Sequence, residues 1–184
     1  LLKINPDINV GSSLLGLATY EAGTLLANVM ASRTIRGKWG TCSWEIDTKG
    51  VLTVHRGQGA PCAGKSPWEK RALQITAARF ESTVSLPPDC NGLFAGCSSL
   101  TRLDDGSWSM SKVKTMKRMF CGCSSLKELS GARFWNTSQV EDMSCAFGGC
   151  SSLKKVFTAT WDTSSARDMT GLFWGCSSLR YLGV

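Results

Sequence analysis

Nine cysteines, one histidine and several adjacent carboxylates are the residues of this chain with chemistry to offer. Cys121-Gly-Cys123 places two thiols in a Cys-x-Cys, but no second pair and no histidine lies nearby. A zinc site needs four such ligands, so the spacing predicts free thiols and no metal or other cofactor. Cys42 and Cys62 flank a strand pair and are the candidates for a disulfide. His55 stands far in sequence from any motif-like serine. Asp104-Asp105 and Glu141-Asp142 are sequence neighbours, whose side chains usually point apart. Gly64-Lys65-Ser66 has the ending of a phosphate-binding loop, but the glycine four residues earlier is missing and Pro67 follows at once. A hydrolase would require a pocket lined by His55, and nothing in the pattern supplies one. The expectation is a non-enzymatic protein.

What the chain does supply is repetition. Gly-Cys-Ser-Ser-Leu occurs at 96–100, 122–126, 149–153 and 175–179, with the cysteines Cys97, Cys123, Cys150 and Cys176 spaced by 26, 27 and 26 residues. Trp108, Trp135 and Trp161 open longer copies that run through Phe120, Phe147 and Phe173. A period of this length marks a stacked solenoid, in which each repeat buries its apolar face against its neighbours. Val113, Met116, Met119 and Phe120 have helical spacing, and Leu126 and Leu129 lie beyond a turn. The sequence therefore predicts a helical turn plus a short strand in each coil of about 26 residues. Six apolar columns follow. They are Trp108/Trp135/Trp161, Cys90/Met116/Met143/Met169, Phe94/Phe120/Phe147/Phe173, Cys97/Cys123/Cys150/Cys176, Leu100/Leu126/Leu153/Leu179 and Leu103/Leu129/Val156/Leu182.

Ahead of the repeats, Thr41–Ile46 and Val51–His55 alternate apolar and polar residues about Asp47-Thr-Lys-Gly50, a hairpin signature. A lone hairpin is marginal in water, so it is expected to cap the first coil. Gly57-Gln-Gly59 and Ala63–Trp68 read as the link. Leu14, Ala18, Ala22, Leu25 and Val29 recur at helical spacing behind Ser12 and Ser13 as N-cap candidates, which predicts an amphipathic helix. Tyr20, Glu21 and Thr24 interrupt this stretch, so it reads as neither a signal peptide nor a transmembrane span. The division expected is an N-terminal segment at 1–38, a hairpin cap and linker at 39–64, and a solenoid at 65–184. No polar cap follows Leu179-Arg-Tyr-Leu-Gly-Val184, so the solenoid is expected to be truncated at its C-terminus, a fragment of a longer repeat protein.

Surface columns carry the remaining information. Lys114/Glu141/Arg167 and Arg102/Glu128/Lys155 alternate in sign and would attract from coil to coil. Thr101/Lys127/Lys154/Arg180 instead places like charges on successive coils, which costs free energy across adjacent strands. Either these long side chains splay into water as a solvated face, or the column is an anion-binding stripe, in which Lys127, Lys154 and Arg180 are the candidate ligand-binding residues. Lys112, Lys114, Lys117 and Arg118 form a second basic cluster. The formal net charge of +7 favours acidic partners. Nucleic acid is disfavoured, because the tryptophans fall in a core column and leave no stacking platform among the basic residues.

Trp161-Asp-Thr-Ser-Ser-Ala-Arg-Asp-Met-Thr-Gly-Leu-Phe-Trp-Gly-Cys-Ser-Ser-Leu179 resembles the repeats of the BspA-type leucine-rich-repeat surface proteins of bacteria, in the branch reading D-T-S-x-V-x-D-M-S-x-M-F-x-G-C-S-S-L. The match covers residues 84–184, and residues 40–55 are similar to the hairpin that often precedes such repeats. The resemblance implies a leucine-rich-repeat-like solenoid, secreted or held at the bacterial cell surface. It implies adhesion to a host or neighbouring-cell protein or an anionic glycan. The alternative is an architectural stalk that spaces another domain and has no ligand of its own. Asn136-Thr-Ser138 fits the glycosylation sequon, which a bacterial source would leave unused.

Overall fold

The computed structural model describes residues 33–104 and 108–183, and for Ser130 the backbone only. The chain divides into two units, Leu1–Thr34 and Ile35–Val184. The helix expected within 14–31 lies outside the described residues. Residues from Ile35 onward form a β-solenoid of about five turns.

Among the described residues ten short strands run through it: β1 (Ile35–Trp39), β2 (Cys42–Ile46), β3 (Val51–Val54), β4 (Gly57–Gln58), β5 (Ala77–Phe80), β6 (Val84–Ser85), β7 (Arg102–Asp104), β8 (Glu128–Leu129), β9 (Lys155–Val156) and β10 (Tyr181–Leu182). One sheet has the order β1-β2-β3-β5-β7, a second β10-β9-β8, and β4 pairs with β6. The pairs β1–β2 and β2–β3 are antiparallel, and β3–β5 and all later pairs are parallel. The hairpin forms about Asp47-Thr-Lys-Gly50, with Trp44 opposite Val54 and Ile46 opposite Leu52. Asp47 Oδ1 accepts the Lys49 and Val51 amides at 2.8 and 2.9 Å and holds the turn. Cys42, Trp44, Ile46, Leu52 and Val54 are all buried. β1 adds a third strand that the sequence did not announce. Its Gly37 leaves room for the indole of Trp44, into which a Cβ at that position would run.

The stretch expected to be a helical turn is instead a ladder of turns. The amides of Cys90, Gly92, Phe94 and Gly96 donate to the carbonyls of Thr115, Lys117, Met119 and Cys121 on the next coil, at 2.7–3.0 Å. The intervening amides of Leu93, Ala95 and Cys97 donate three residues back within their own coil. Met116, Arg118, Phe120 and Gly122 repeat the pattern onto the following coil, as do Met143, Cys145, Phe147 and Gly149. This alternation needs left-handed backbone at every fourth residue. Gly92, Arg118, Cys145 and Gly171 have φ of 73°, 52°, 52° and 64°, and Gly96, Gly122, Gly149 and Gly175 lie at 74–78°. A continuous helix cannot contain such residues, which is why apolar positions at helical spacing build turns here.

The link expected at 57–68 belongs to an earlier coil. The Cys62 amide donates to the Asp89 carbonyl at 2.9 Å, and Lys65 donates back to Cys62, as Leu93 does to Cys90. Gly64 has φ 80°, matching Gly92 one coil on. Trp68 then packs on Phe94, with ring centroids 5.3 Å apart.

The columns stack as the repeat requires. Phe94, Phe120, Phe147 and Phe173 are successive parallel rings with centroids 5.2–5.5 Å apart. Trp108, Trp135 and Trp161 follow at 5.8 Å. Phe94, Phe120, Phe147, Cys97, Cys123, Cys150, Leu100, Leu126 and Leu153 have no exposed surface. In the last described coil Phe173, Cys176 and Leu179 are only partly buried, and Met169, Trp174 and Leu182 are exposed. Phe147 has a ring on both sides, so Phe147→Ala is expected to cost about 3–5 kcal/mol in urea unfolding. Phe134→Ala, at a residue 68% exposed, should cost under about 1 kcal/mol. Equal effects would refute the column packing.

Candidate ligand-binding surface

The parallel strands determine which side chains face solvent. Leu103, Leu129 and Val156 point into the core, so Arg102, Glu128 and Lys155 point out. Just before each strand stands the like-charge column. Lys154 donates its amide to the Lys127 carbonyl at 2.8 Å and Arg180 to that of Lys154 at 3.1 Å, so the three are neighbours on successive coils. An open groove of about 1010 Å³ runs over this face. Among the described residues its lining holds the cations Lys49, Arg79, Arg102, Lys127, Lys154 and Lys155 and the carboxylates Asp47, Asp104 and Glu128, with no aromatic ring.

Lys127 and Lys154 therefore share one groove. Arg180 does not line it; its guanidinium turns back to the carbonyls of Ser177 and Leu179 at 3.3 and 3.4 Å. Among the described residues no ion pair involves Lys127, Lys154 or Arg180, nor joins Arg102, Glu128 and Lys155. The alternating column attracts at a distance rather than by contact. In the other alternating column Arg167 does meet Glu141, at 3.5 Å. Within the second basic cluster Lys117 lies 3.8 Å from Asp142. Arg79 and Lys49 are groove residues that the repeat pattern missed. Arg79 lies in the coil without a pentapeptide, and its Nε is held by Thr53 Oγ1 at 2.9 Å. Its pairing opposite Asp104 was the only signal, and it requires the register to be known.

The residues with chemical potential are occupied elsewhere. His55 Nδ1 lies 2.9 Å from Glu81 Oε1, and the Arg56 amide donates to the other oxygen. The hydrogen bond with His55, followed by that from Arg56, holds the Glu81 carboxyl below the usual range. Ser124, Ser151 and Ser177 donate their hydroxyls to the serine carbonyl of the preceding coil at 3.4 Å. Gly64-Lys65-Ser66 forms a turn in which Ser66 Oγ accepts the Trp68 amide. The column thiols have partners too. Cys123, Cys150 and Cys176 donate to the carbonyls of Phe94, Phe120 and Phe147 on the preceding coil, each at 3.1 Å.

All nine cysteines are free, so the disulfide considered between Cys42 and Cys62 is not formed. Burial pushes Cys97 up to about 12. Cys62 also rises to about 12, through burial and then the charge of Asp89. Burial drives Cys90 and Cys123 well above the ordinary thiol range. The neighbouring Cys176 thiol, and then burial, push Cys150 up, and Cys150 in turn holds Cys176 down. Among the described residues no group of three or more His, Cys, Asp or Glu is placed to hold a metal ion.

A family model described as "Mycoplasma protein of unknown function, DUF285" matches residues 88–181, half of the chain. The chain belongs to that family. The matched span begins at Pro88 and takes in the four pentapeptide coils, leaving the strand pair and the first coil outside it. No curated protein sequence matches. Among solved structures, the chain is similar to a leucine-rich repeat protein from Eubacterium ventriosum, at 15% identity and a TM-score of 0.40 over 72% of this chain and 45% of that one. It is also similar to the T. pallidum leucine rich repeat protein, at 19% identity and a TM-score of 0.37 over 73% and 74%. The chain thus spans less than half of the Eubacterium ventriosum protein.

Thiol reactivity tests the packing of the cysteines, because the thiolate is the reacting form. In the folded chain only the half-buried Cys121, Cys145 and Cys176 should react readily with a maleimide at neutral pH. In denaturant without reductant, all nine should label. Intact-mass detection of two fewer adducts would show one disulfide, and finding no adducts would show that the cysteine column is cross-linked.

Proposed function

We propose that this chain is a non-enzymatic binding module that takes an anionic partner along its parallel-sheet groove. The observation that carries the reading is the pair Lys127 and Lys154. They are like charges on adjacent coils, with no ion pair among the described residues, in a groove whose other lining is also cationic in excess. A stacked fold gains nothing from this arrangement, so an external anion is the source of its benefit. In this reading β1–β3 act as the cap of the first coil, because the Thr41 amide and the Trp39 indole occupy the carbonyls of Gln58 and Ala60 at 2.9 and 2.6 Å.

The resemblance to bacterial surface repeat proteins supports a secreted or cell-surface location and an adhesive role toward a host or neighbouring-cell protein or an anionic glycan. No described helix is long and apolar enough to cross a membrane. The continuous ladder between coils favours one other reading, a stiff stalk without a ligand. The two part on a simple test. The full chain and a Lys127→Glu/Lys154→Glu variant are titrated against immobilised matrix proteins and sulfated glycans at low and high salt. Native binding should weaken about tenfold or more in the variant and fall steeply with salt, at an unchanged melting temperature. No binding by the folded native chain, or equal binding by both, would leave the stalk.

A further inference from the structure

The groove's chemistry narrows the partner, on the reading just proposed. Protein interfaces draw their affinity from buried aromatic and arginine anchors in a well-packed centre. Single-stranded nucleic acid needs exposed rings on which its bases stack. Among the described residues the lining contains no aromatic residue: the stacked Phe and Trp columns lie inside the solenoid, and the exposed Tyr181 stands beyond Lys155 on the next strand. What the groove offers is charge at a fixed spacing. Lys127 and Lys154 are one coil apart, about 4.8 Å from strand to strand, which is close to the length of one pyranose ring along a polysaccharide. Arg102 and Lys155 have Glu128 between them, so cations in that column recur at every second coil. A carboxylate between two cations repels a dense polyanion, but it accepts hydrogen bonds from sugar hydroxyls.

We infer that the groove takes a linear sulfated or carboxylated polysaccharide lying along the solenoid axis, with about one sugar ring per coil and its anionic groups on alternate rings beside Arg102 and Lys155. Lys127 and Lys154 bind its charge, and Glu128 selects against polymers charged at every position. Arg79, held by Thr53, contacts the chain where it passes over the earlier coils.

The test is a titration of the full chain with size-defined sulfated uronate–hexosamine oligosaccharides, from disaccharide to decasaccharide, beside inorganic polyphosphate and poly-glutamate of matched charge. Affinity for the oligosaccharides should rise with length to about a hexasaccharide and then level, and should drop about tenfold or more in Lys127→Glu/Lys154→Glu. Glu128→Gln should tighten polyphosphate severalfold, because the carboxylate that repels a dense polyanion is gone. If polyphosphate or poly-glutamate matches the hexasaccharide in the native chain and loses affinity in the lysine variant, the groove binds anions and the polysaccharide assignment is overturned. If no polyanion distinguishes the native chain from the lysine variant, the anionic-partner reading falls with it.

Discussion

The structure depends on the alternation of amide hydrogen bonds between and within coils. A coil of a solenoid must satisfy its own backbone polar groups before its side chains can stack, because an unpaired buried amide costs as much as a lost hydrogen bond. Here the cost is avoided by dividing the donors: every second amide from Cys90 to Gly96 goes to the next coil, while Leu93 and Ala95 close four-residue turns and Asn91 donates to Asp89 Oδ1. The inter-coil bonds fix the separation of neighbouring coils, and that separation sets the 5.2–5.5 Å spacing of the Phe rings. The thiols then add a further inter-coil bond at the Phe carbonyls. In this setting Cys is both a small apolar residue and a weak donor, a combination that neither Ala nor Ser offers.

The same spacing governs the outer face. Once inward Leu103, Leu129 and Val156 are fixed, their neighbours Arg102, Glu128 and Lys155 must face out at coil intervals. Burial of the aromatic columns also removes rings from the groove, which therefore presents charge and hydroxyl-binding groups without stacking surfaces. Core and ligand chemistry are thus linked through one geometric repeat.

Much of this was legible in the residues. The Phe and Cys columns followed from the spacing of the pentapeptides, and the pairing of Trp44 with Val54 from the alternation about Asp47-Thr-Lys-Gly50. Helical turns were expected because Val113, Met116, Met119 and Phe120 share the periodicity of a helix face. Only the left-handed backbone of Arg118 and Cys145 separates the two cases, and neither residue type announces it. The coil containing Cys62, Gly64 and Trp68 was hidden because it lacks Gly-Cys-Ser-Ser-Leu; its likeness to the later coils lies in hydrogen bonding rather than in residue identity. Arg79 was missed for the same reason. Arg180 was placed correctly in its column, but a column position does not fix where a long side chain ends, and its guanidinium satisfies local carbonyls instead.

The aromatic residues near the first coil differ from the later stack. Trp68 touches Trp39, Trp44, Phe80 and Phe94, mostly edge to face, so it joins the antiparallel strands, the first coil and the second in one knot. Phe120, Trp135, Phe147 and Trp161 instead stack on their counterparts of adjacent coils and on the neighbouring Trp or Phe column. In a nearest-neighbour stack, each coil is held by the interfaces on either side of it. The knot makes one end more tightly cross-braced than the rest, which gives the molecule a direction. Local opening therefore costs more free energy at the knot than in coils held by stacking alone.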